Sequence, residues 1–471
     1  MDTQMIRQTA RAWLDAHAEE MIADLQAFTR IRSVSRADLA RPGAPFGPEC
    51  REMLDFALNR AREMGFDTED HDGYCGSAIS GDGKDALGIV AHIDVVPEGE
   101  QWIYPPYGAT RVGDFLIGRG TNDDKNAAVL GLYLMRMFQE TGLPLKHGIR
   151  LLMGCSEETG MEDMEYYVKH YPQPVASLIP DSMFPANYAQ KGSIKGMFGI
   201  DAGEQIAEFH GGEVFNMVPP SATALLKGVK PFAAGEGIEV CEENGMLRVR
   251  ATGTAAHAAR PEGGLSAIHR LATALLDAGV LFGQSEAAMR GVAALSGDIY
   301  GERAGIACED ADTGRSTMVC GMTRTENGTL SLSVDCRLSI ATDVERDSQT
   351  LQDYGRGLGF VPRDFSTTTP VYIPKDGPLI GAAQRAYFEV TGDPAEPFTS
   401  GGGTYSRLLN NAVTFGLIFP GERLRPEGLP ATHGAAHGPD EFVYIPDLLR
   451  AAEIYALALC LMDEAVSKED A

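Results

Sequence analysis

The sequence predicts an α/β fold in which one α/β domain is interrupted by a second, inserted domain. Three observations predict it. Up to about Gly192, short apolar runs alternate with amphipathic helical patterns, the texture of a layered α/β architecture. From about Ser193 to Pro374 the texture changes to short segments of alternating polarity separated by Gly and charged turns, and from about Asp376 the first texture returns. A chain of 471 residues also exceeds what one hydrophobic core ordinarily supports.

The first 28 residues set apolar and charged residues at helical spacing, without the basic start and unbroken apolar core of a signal peptide. Leu87–Ala91, Ile149–Met153 and Val175–Ile179 are uninterrupted apolar runs and read as buried strands. Between the first two a helix is predicted from about Asn126 to Gln139, with Asp124 near its start and Gly142 past its end. In the inserted segment, MLRVRATG and GTLSLSVDCRLS read as strands exposed on one face. After it come a helix (GPLIGAAQRAYFEVTG), an apolar strand (AVTFGLIF) and a final helix from about Ile445 to Met462.

Composition narrows the function. A hydrophobic fraction of 44% beside 23% charge describes an ordinary globular chain. The net charge of −26 argues against a nucleic-acid backbone as partner. No run approaches the roughly 20 apolar residues that a membrane helix needs. Eight cysteines without a C-x-x-C pair read as reduced thiols. The expectation is a cytoplasmic protein that binds neither nucleic acid nor membrane.

Four polar clusters sit at or just beyond the ends of these apolar runs, where open α/β sheets carry their sites. In AHIDVVP, His92 and Asp94 at i and i+2 on extended backbone point the same way, so the carboxylate could orient a metal-binding imidazole. A capped strand end with a satisfied His reads equally well from this motif alone. In GRGTNDDKNAA, Asp123 and Asp124 precede a helix, and either could be a plain N-cap.

In SEETG, Glu157 and Glu158 are adjacent carboxylates, which repel unless a cation compensates. One could then bind metal while the other takes a proton from water; a solvated acidic turn is the alternative. IPDSMFP places Asp181 after the third strand, and ATHGAAHGPDEF supplies His433 and His437 on a Gly-rich loop. Nitrogen and oxygen donors with several carboxylates suit a pair of zinc or manganese ions sharing one carboxylate.

These motifs are joined by IRSVSR, IPDSMFPANYAQKG, GGEVFNMVPPSAT, GTAAHAARPEGG, the strand carrying Arg337, GGGTYSR and AHGPDE, in order through nearly the whole chain. In them the sequence resembles the aminoacylase, ArgE/DapE and carboxypeptidase family of co-catalytic zinc metallopeptidases, and within it the PepV-type dipeptidases. The resemblance implies a catalytic domain at 1–192 and 375–471, with a central mixed β-sheet flanked by helices, and an inserted α+β lid domain at 193–374. It implies two Zn2+, with Mn2+ or Co2+ as substitutes. His92 and Asp181 would serve one ion, Glu158 and His437 the other, and Asp123 would bridge them. Glu157 would be the general base and Asp94 would support His92. His437 is chosen over His433 because the family's terminal motif sets the ligand just before G-P-D-E.

In the lid, the resemblance aims His257 at the developing oxyanion and gives Asn216 and Arg337 the substrate's terminal carboxylate. Gly401, Gly402 and Gly403 would let backbone N–H groups approach the substrate, and the Asp123–Asp124 peptide bond would be cis. Gly264-Leu265-Ser266-Ala267 departs from the family's Gly-x-Asn-Ala, Gln190 replaces an acid, and Asn126 stands where Gly is common. None is a proposed ligand or base, so they bear on substrate preference.

The implied activity is hydrolysis of unblocked dipeptides through a metal-bridged water and a Glu base. An N-acyl- or N-succinyl-amino-acid amidohydrolase would use the same site, and a non-catalytic metal-holding scaffold would have no need of Glu157. By the same resemblance, in which PepV-type enzymes have an enlarged lid, an inserted segment of this size implies a self-sufficient monomer acting on a small peptide.

Overall fold

A computed structural model describes residues 2–469. The chain forms two compact units, Met1–Tyr188 with Ile373–Phe398 and Thr404–Ala471, and Ala189–Tyr372 with Thr399–Gly403. The glycine run at 401–403 thus belongs with the second unit, whereas the sequence partition keeps it with the first.

The first unit begins with helices α1 (Thr3–Arg30) and α2 (Gly47–Glu63) and strands β1 (Asp67–His71), β2 (Cys75–Ser80) and β3 (Ala86–His92). A short hairpin, β4 (Thr110–Val112) and β5 (Phe115–Ile117), leads to α3 (Lys125–Thr141), β6 (Gly148–Gly154), α4 (Glu162–His170), β7 (Ala176–Ile179) and β8 (Ser182–Met183). The main sheet runs β1-β2-β6-β3-β7 and then Ala412–Phe415. Its centre is parallel and its β1-β2-β6 side antiparallel, so the sheet is mixed. β3 is buried along its whole length, as a strand covered on both faces must be.

Register places the site. β3 pairs with β6 up to His92 opposite Gly154, and with β7 up to Ile89 opposite Leu178. Asp181 follows the end of β7 by two residues, and its carboxylate comes within 4.8 Å of the His92 ligand atom. All three strands therefore deliver their polar ends to one edge of the sheet.

α3 is buried from Lys125 to Met135, packed against β3 and β6 on one side and against α1 and the helix Ile445–Glu469 on others. Lys125, wholly buried, ties its start to the end of α1 by donating to the Phe28 and Ile31 carbonyls at 3.1 and 2.6 Å. Gly142 closes the helix in the left-handed region, φ 65°.

The run AVTFGLIF is not one strand. Ala412–Phe415 joins the main sheet, whereas Leu417–Ile418 pairs in parallel with β8. The break is at Gly416, φ 75°, where a Cβ would come within 2.5 Å of the Phe184 ring. Only glycine fits there.

The second unit is an antiparallel sheet in the order Ile238–Glu243, Met246–Thr252, Ser221–Leu226, Ile206–Gly211, Thr323–Glu326, Thr329–Leu338, Gly192–Asp201 and Val361–Thr368. Met246–Thr252 alternates buried and less buried residues, and Ala267–Asp277, Gly283–Ser296 and Val344–Gly357 pack on the sheet. The resulting core holds Phe198, Phe209, Val249, Leu271, Leu332 and Leu351. Among the described residues no helix is long and apolar enough to cross a membrane.

Candidate metal centre

His92 ends β3 and is buried. Its Nδ1 donates to the Asp94 carbonyl oxygen at 3.0 Å, which leaves Nε2 as the ligand atom, 3.0 Å from Asp123 Oδ1. His437 stands in the left-handed region, φ 63°, in the loop before Gly438. Its Nε2 lies 2.9 Å from Glu158 Oε1 and 3.2 Å from Asp123 Oδ2. The two oxygens of Asp123 thus face different histidines. The ligand atoms of His92, Asp123 and Asp181 lie within 4.8 Å of one another, and so do those of Asp123, Glu158 and His437.

The electrostatics of the cluster call for positive charge. Burial and the nearby Asp181 push the Glu157 carboxyl well above its ordinary value, and burial with Asp123 pushes Asp181 up to about 7. Contacts with Asp123 and Glu158 push His437 up to about 10. Burial alone would lower His92, yet the Asp123 and Asp94 carboxylates outweigh it and raise it. Crowded carboxylates draw protons when cations do not compensate them, and a divalent ion in each ligand group would supply that charge. The donor set, imidazole nitrogens with a shared carboxylate, fits zinc or manganese.

The Asp123–Asp124 peptide bond is cis. Asp124 occupies the N-cap position of α3 but makes no side-chain cap; its Oδ2 accepts the His92 N–H at 3.4 Å. His433 lies outside both ligand groups, with Nδ1 2.6 Å from Asp440 Oδ2.

A further acid supports the ligand loop and stands outside the sequence expectations. Glu441 is wholly buried, and its Oε1 accepts the N–H groups of Gly120, Asn122 and Asp123 at 3.0, 2.8 and 3.1 Å. Its Oε2 meets Arg119 Nη1 at 2.6 Å. Glu441 thereby holds the backbone from which Asp123 projects. The only local signal was an acid in AHGPDEF close to the predicted ligand.

The remaining predicted residues belong to the second unit. His257 Nδ1 accepts the Ala259 N–H at 3.1 Å, so the neutral ring carries its proton on Nε2 as a donor. Burial, then the charge of Arg337, lowers its pKa and favours that neutral form. Asn216 is exposed, and its carbonyl accepts the Ala258 N–H at 2.9 Å, which fixes it beside the His257 segment. Arg337 grips Asp335 with Nε and Nη2 at 2.7 and 3.0 Å and donates from Nη1 to the Gly401 carbonyl at 2.9 Å. A Cβ on Gly401 would come within 2.6 Å of the Ala259 Cβ, so Ala259 already requires that glycine, while one on Gly402 would meet nothing within 4 Å.

Residues 88–460 match the sequence pattern of peptidase family M20/M25/M40. The protein named "Putative dipeptidase YtjP" of Bacillus subtilis (strain 168) is 32% identical over 465 residues, which cover 94% of this chain and 96% of YtjP. Among solved structures, human carnosine dipeptidase 1 matches with a TM-score of 0.59 at 16% identity, covering 97% of this chain and 100% of its own. Bacillus subtilis YXEP, a dinuclear metal-binding peptidase from the M20 family, matches with a TM-score of 0.51 at 12% identity, covering 96% and 99%. At such identities the structural likeness speaks for the fold.

Proposed function

This chain belongs to peptidase family M20/M25/M40, and we propose that it is a metal-dependent dipeptidase that cleaves unblocked dipeptides with Glu157 as general base. The observation that carries the reading is Asp123, whose two oxygens face His92 and His437 separately, as a carboxylate shared by two cations would. His92 and Asp181 would hold one ion and Glu158 and His437 the other, with zinc as the resident metal and manganese or cobalt as substitutes. When bound, such ions supply Lewis acidity, acidifying water and polarising the scissile carbonyl.

Glu157 shares a turn with Glu158 yet belongs to neither ligand group. Its carboxylate would take the proton from the attacking water and return it to the leaving amine. His257, with its proton on Nε2, would donate to the developing oxyanion. Among the described residues, three of the five Arg337 N–H groups are engaged, which leaves two for the free carboxylate of a substrate. The test is turnover of unblocked dipeptides against N-acyl and N-succinyl amino acids by protein loaded with zinc, manganese or cobalt. Faster cleavage of the acylated substrates would make the chain an amidohydrolase instead.

A further inference from the structure

The turn that carries Glu157 and Glu158 is held by an unusual arrangement. Four consecutive backbone N–H groups end on two buried carboxylates. Cys155 and Ser156 donate to Asp163 Oδ2 at 2.5 and 2.8 Å, and Glu157 and Glu158 donate to Asp94 Oδ1 and Oδ2, each at 3.2 Å. Asp163 Oδ2 also accepts the Tyr405 hydroxyl at 2.5 Å, and Oδ1 accepts the Met164 N–H at 2.7 Å. Asp163 is wholly buried and Tyr405 is 1% exposed.

The end of β6 is shaped to admit this pair. A Cβ on Gly154 would lie 1.9 Å from the Tyr405 hydroxyl oxygen and 2.5 Å from Asp163 Oδ2. The strand is therefore bare at the position just before the turn. A solvated acidic turn would leave its N–H groups to water and need neither a buried acid nor a tyrosine 242 residues beyond that acid.

We propose that Asp163 and Tyr405 form a positioning pair that sets the backbone of the Cys155–Glu158 turn and thereby aims the Glu157 carboxylate. The claim rests on the reading of Glu157 as base. Asp163 grips the two residues before Glu157, while Asp94 grips Glu157 and Glu158 themselves. Loosening the first grip lets the turn rotate about the second, which misdirects Glu157. Of the five proposed metal ligands only Glu158 lies in this turn; His92, Asp123, Asp181 and His437 lie outside it and stay in place.

The test is Tyr405→Phe, which keeps the ring in place and removes the hydroxyl, beside Asp163→Asn. For Tyr405→Phe, kcat should fall on the order of tenfold or more, since small misplacements at a reacting centre are costly. With zinc at saturation KM should hold, and the variant should cause no further loss on top of Glu157→Gln. Any weakening of metal binding falls on the ion of Glu158 and His437, because Glu158 shares the turn. Retained kcat with only a lower melting temperature would overturn the proposal. So would an equal loss in the Glu157→Gln background, because the pair would then act independently of Glu157. Should the wild-type protein cleave no dipeptide, the reading of Glu157 falls, and amide hydrogen exchange decides the grip on the turn. Faster exchange at Cys155 and Ser156 in Tyr405→Phe supports it, and unchanged protection overturns it.

Discussion

Asp94 and Glu157 meet side chain to backbone: Asp94 Oδ1 accepts the Glu157 N–H at 3.2 Å, and Oδ2 accepts the Glu158 N–H at the same distance. His92 is oriented instead by the Asp94 carbonyl oxygen at 3.0 Å, with the carboxylate farther off at 3.5 Å. Asp94 thus couples the proposed base, one ligand of each proposed metal and the end of β3. Because the link to Glu157 runs through its backbone, changing the Glu157 side chain leaves it intact.

Glu157→Gln should therefore abolish turnover while metal content stays at the wild-type level. Loss of a general base costs about 10²–10⁴-fold in rate. Steady-state kinetics with metal analysis of the same samples checks it. More than a tenth of wild-type activity with metal bound would remove Glu157 from its role.

Glu441→Ala should weaken metal binding and stability together. It strips three backbone N–H groups around Asp123 of their acceptor and strands the buried Arg119. Removing one partner of a buried ion pair costs about 3–5 kcal/mol, and losing a partner that orients a metal ligand costs about 10–100-fold in metal affinity. Competitive metal titration and thermal denaturation read the two effects separately. Unchanged affinity would show that the Asp123 loop holds itself.

The parts of the site legible in the sequence were local. β3, β6 and β7 are uninterrupted apolar runs, so His92, the Glu157–Glu158 pair and Asp181 stand out as polar residues just past their ends. Strand parity sets the Asp94 side chain on the face of His92, and its carboxylate lies 3.5 Å from His92 Nδ1 although β3 ends at His92. Glu441 and Tyr405 were not legible as supports because their partners lie hundreds of residues away. The departure at Ser266 has a local reason. Ser266 caps the helix Ala267–Asp277 by accepting the His269 N–H at 3.3 Å, a task that Asn performs equally well.

Asp335→Asn should raise KM for dipeptides far more than it lowers kcat. Asp335 is wholly buried and occupies the Nε and Nη2 donors of Arg337, which fixes the direction of the guanidinium. A hydrogen bond to a charged group is worth about 1.5–3 kcal/mol, or roughly 10–100-fold. An unchanged KM would release Arg337 from substrate binding.

His257→Ala should lower kcat by about 10²–10³-fold, the loss that follows removal of one oxyanion donor. Metal content should hold, because His257 lies in the second unit, outside both ligand groups. Kinetics alongside metal analysis checks this, and an unchanged kcat would exclude the residue from the reaction.

The central claim is tested most directly by measuring hydrolysis of one unblocked dipeptide and one N-acetyl amino acid by the zinc-loaded protein, before and after chelation. The dipeptidase reading predicts cleavage of the free dipeptide and little of the acetylated amino acid, and the shared carboxylate of Asp123 with its flanking ligand groups predicts loss on chelation and recovery when zinc is returned. Failure to cleave any unblocked dipeptide with zinc, manganese or cobalt present, or full activity after the metal is removed, would contradict it.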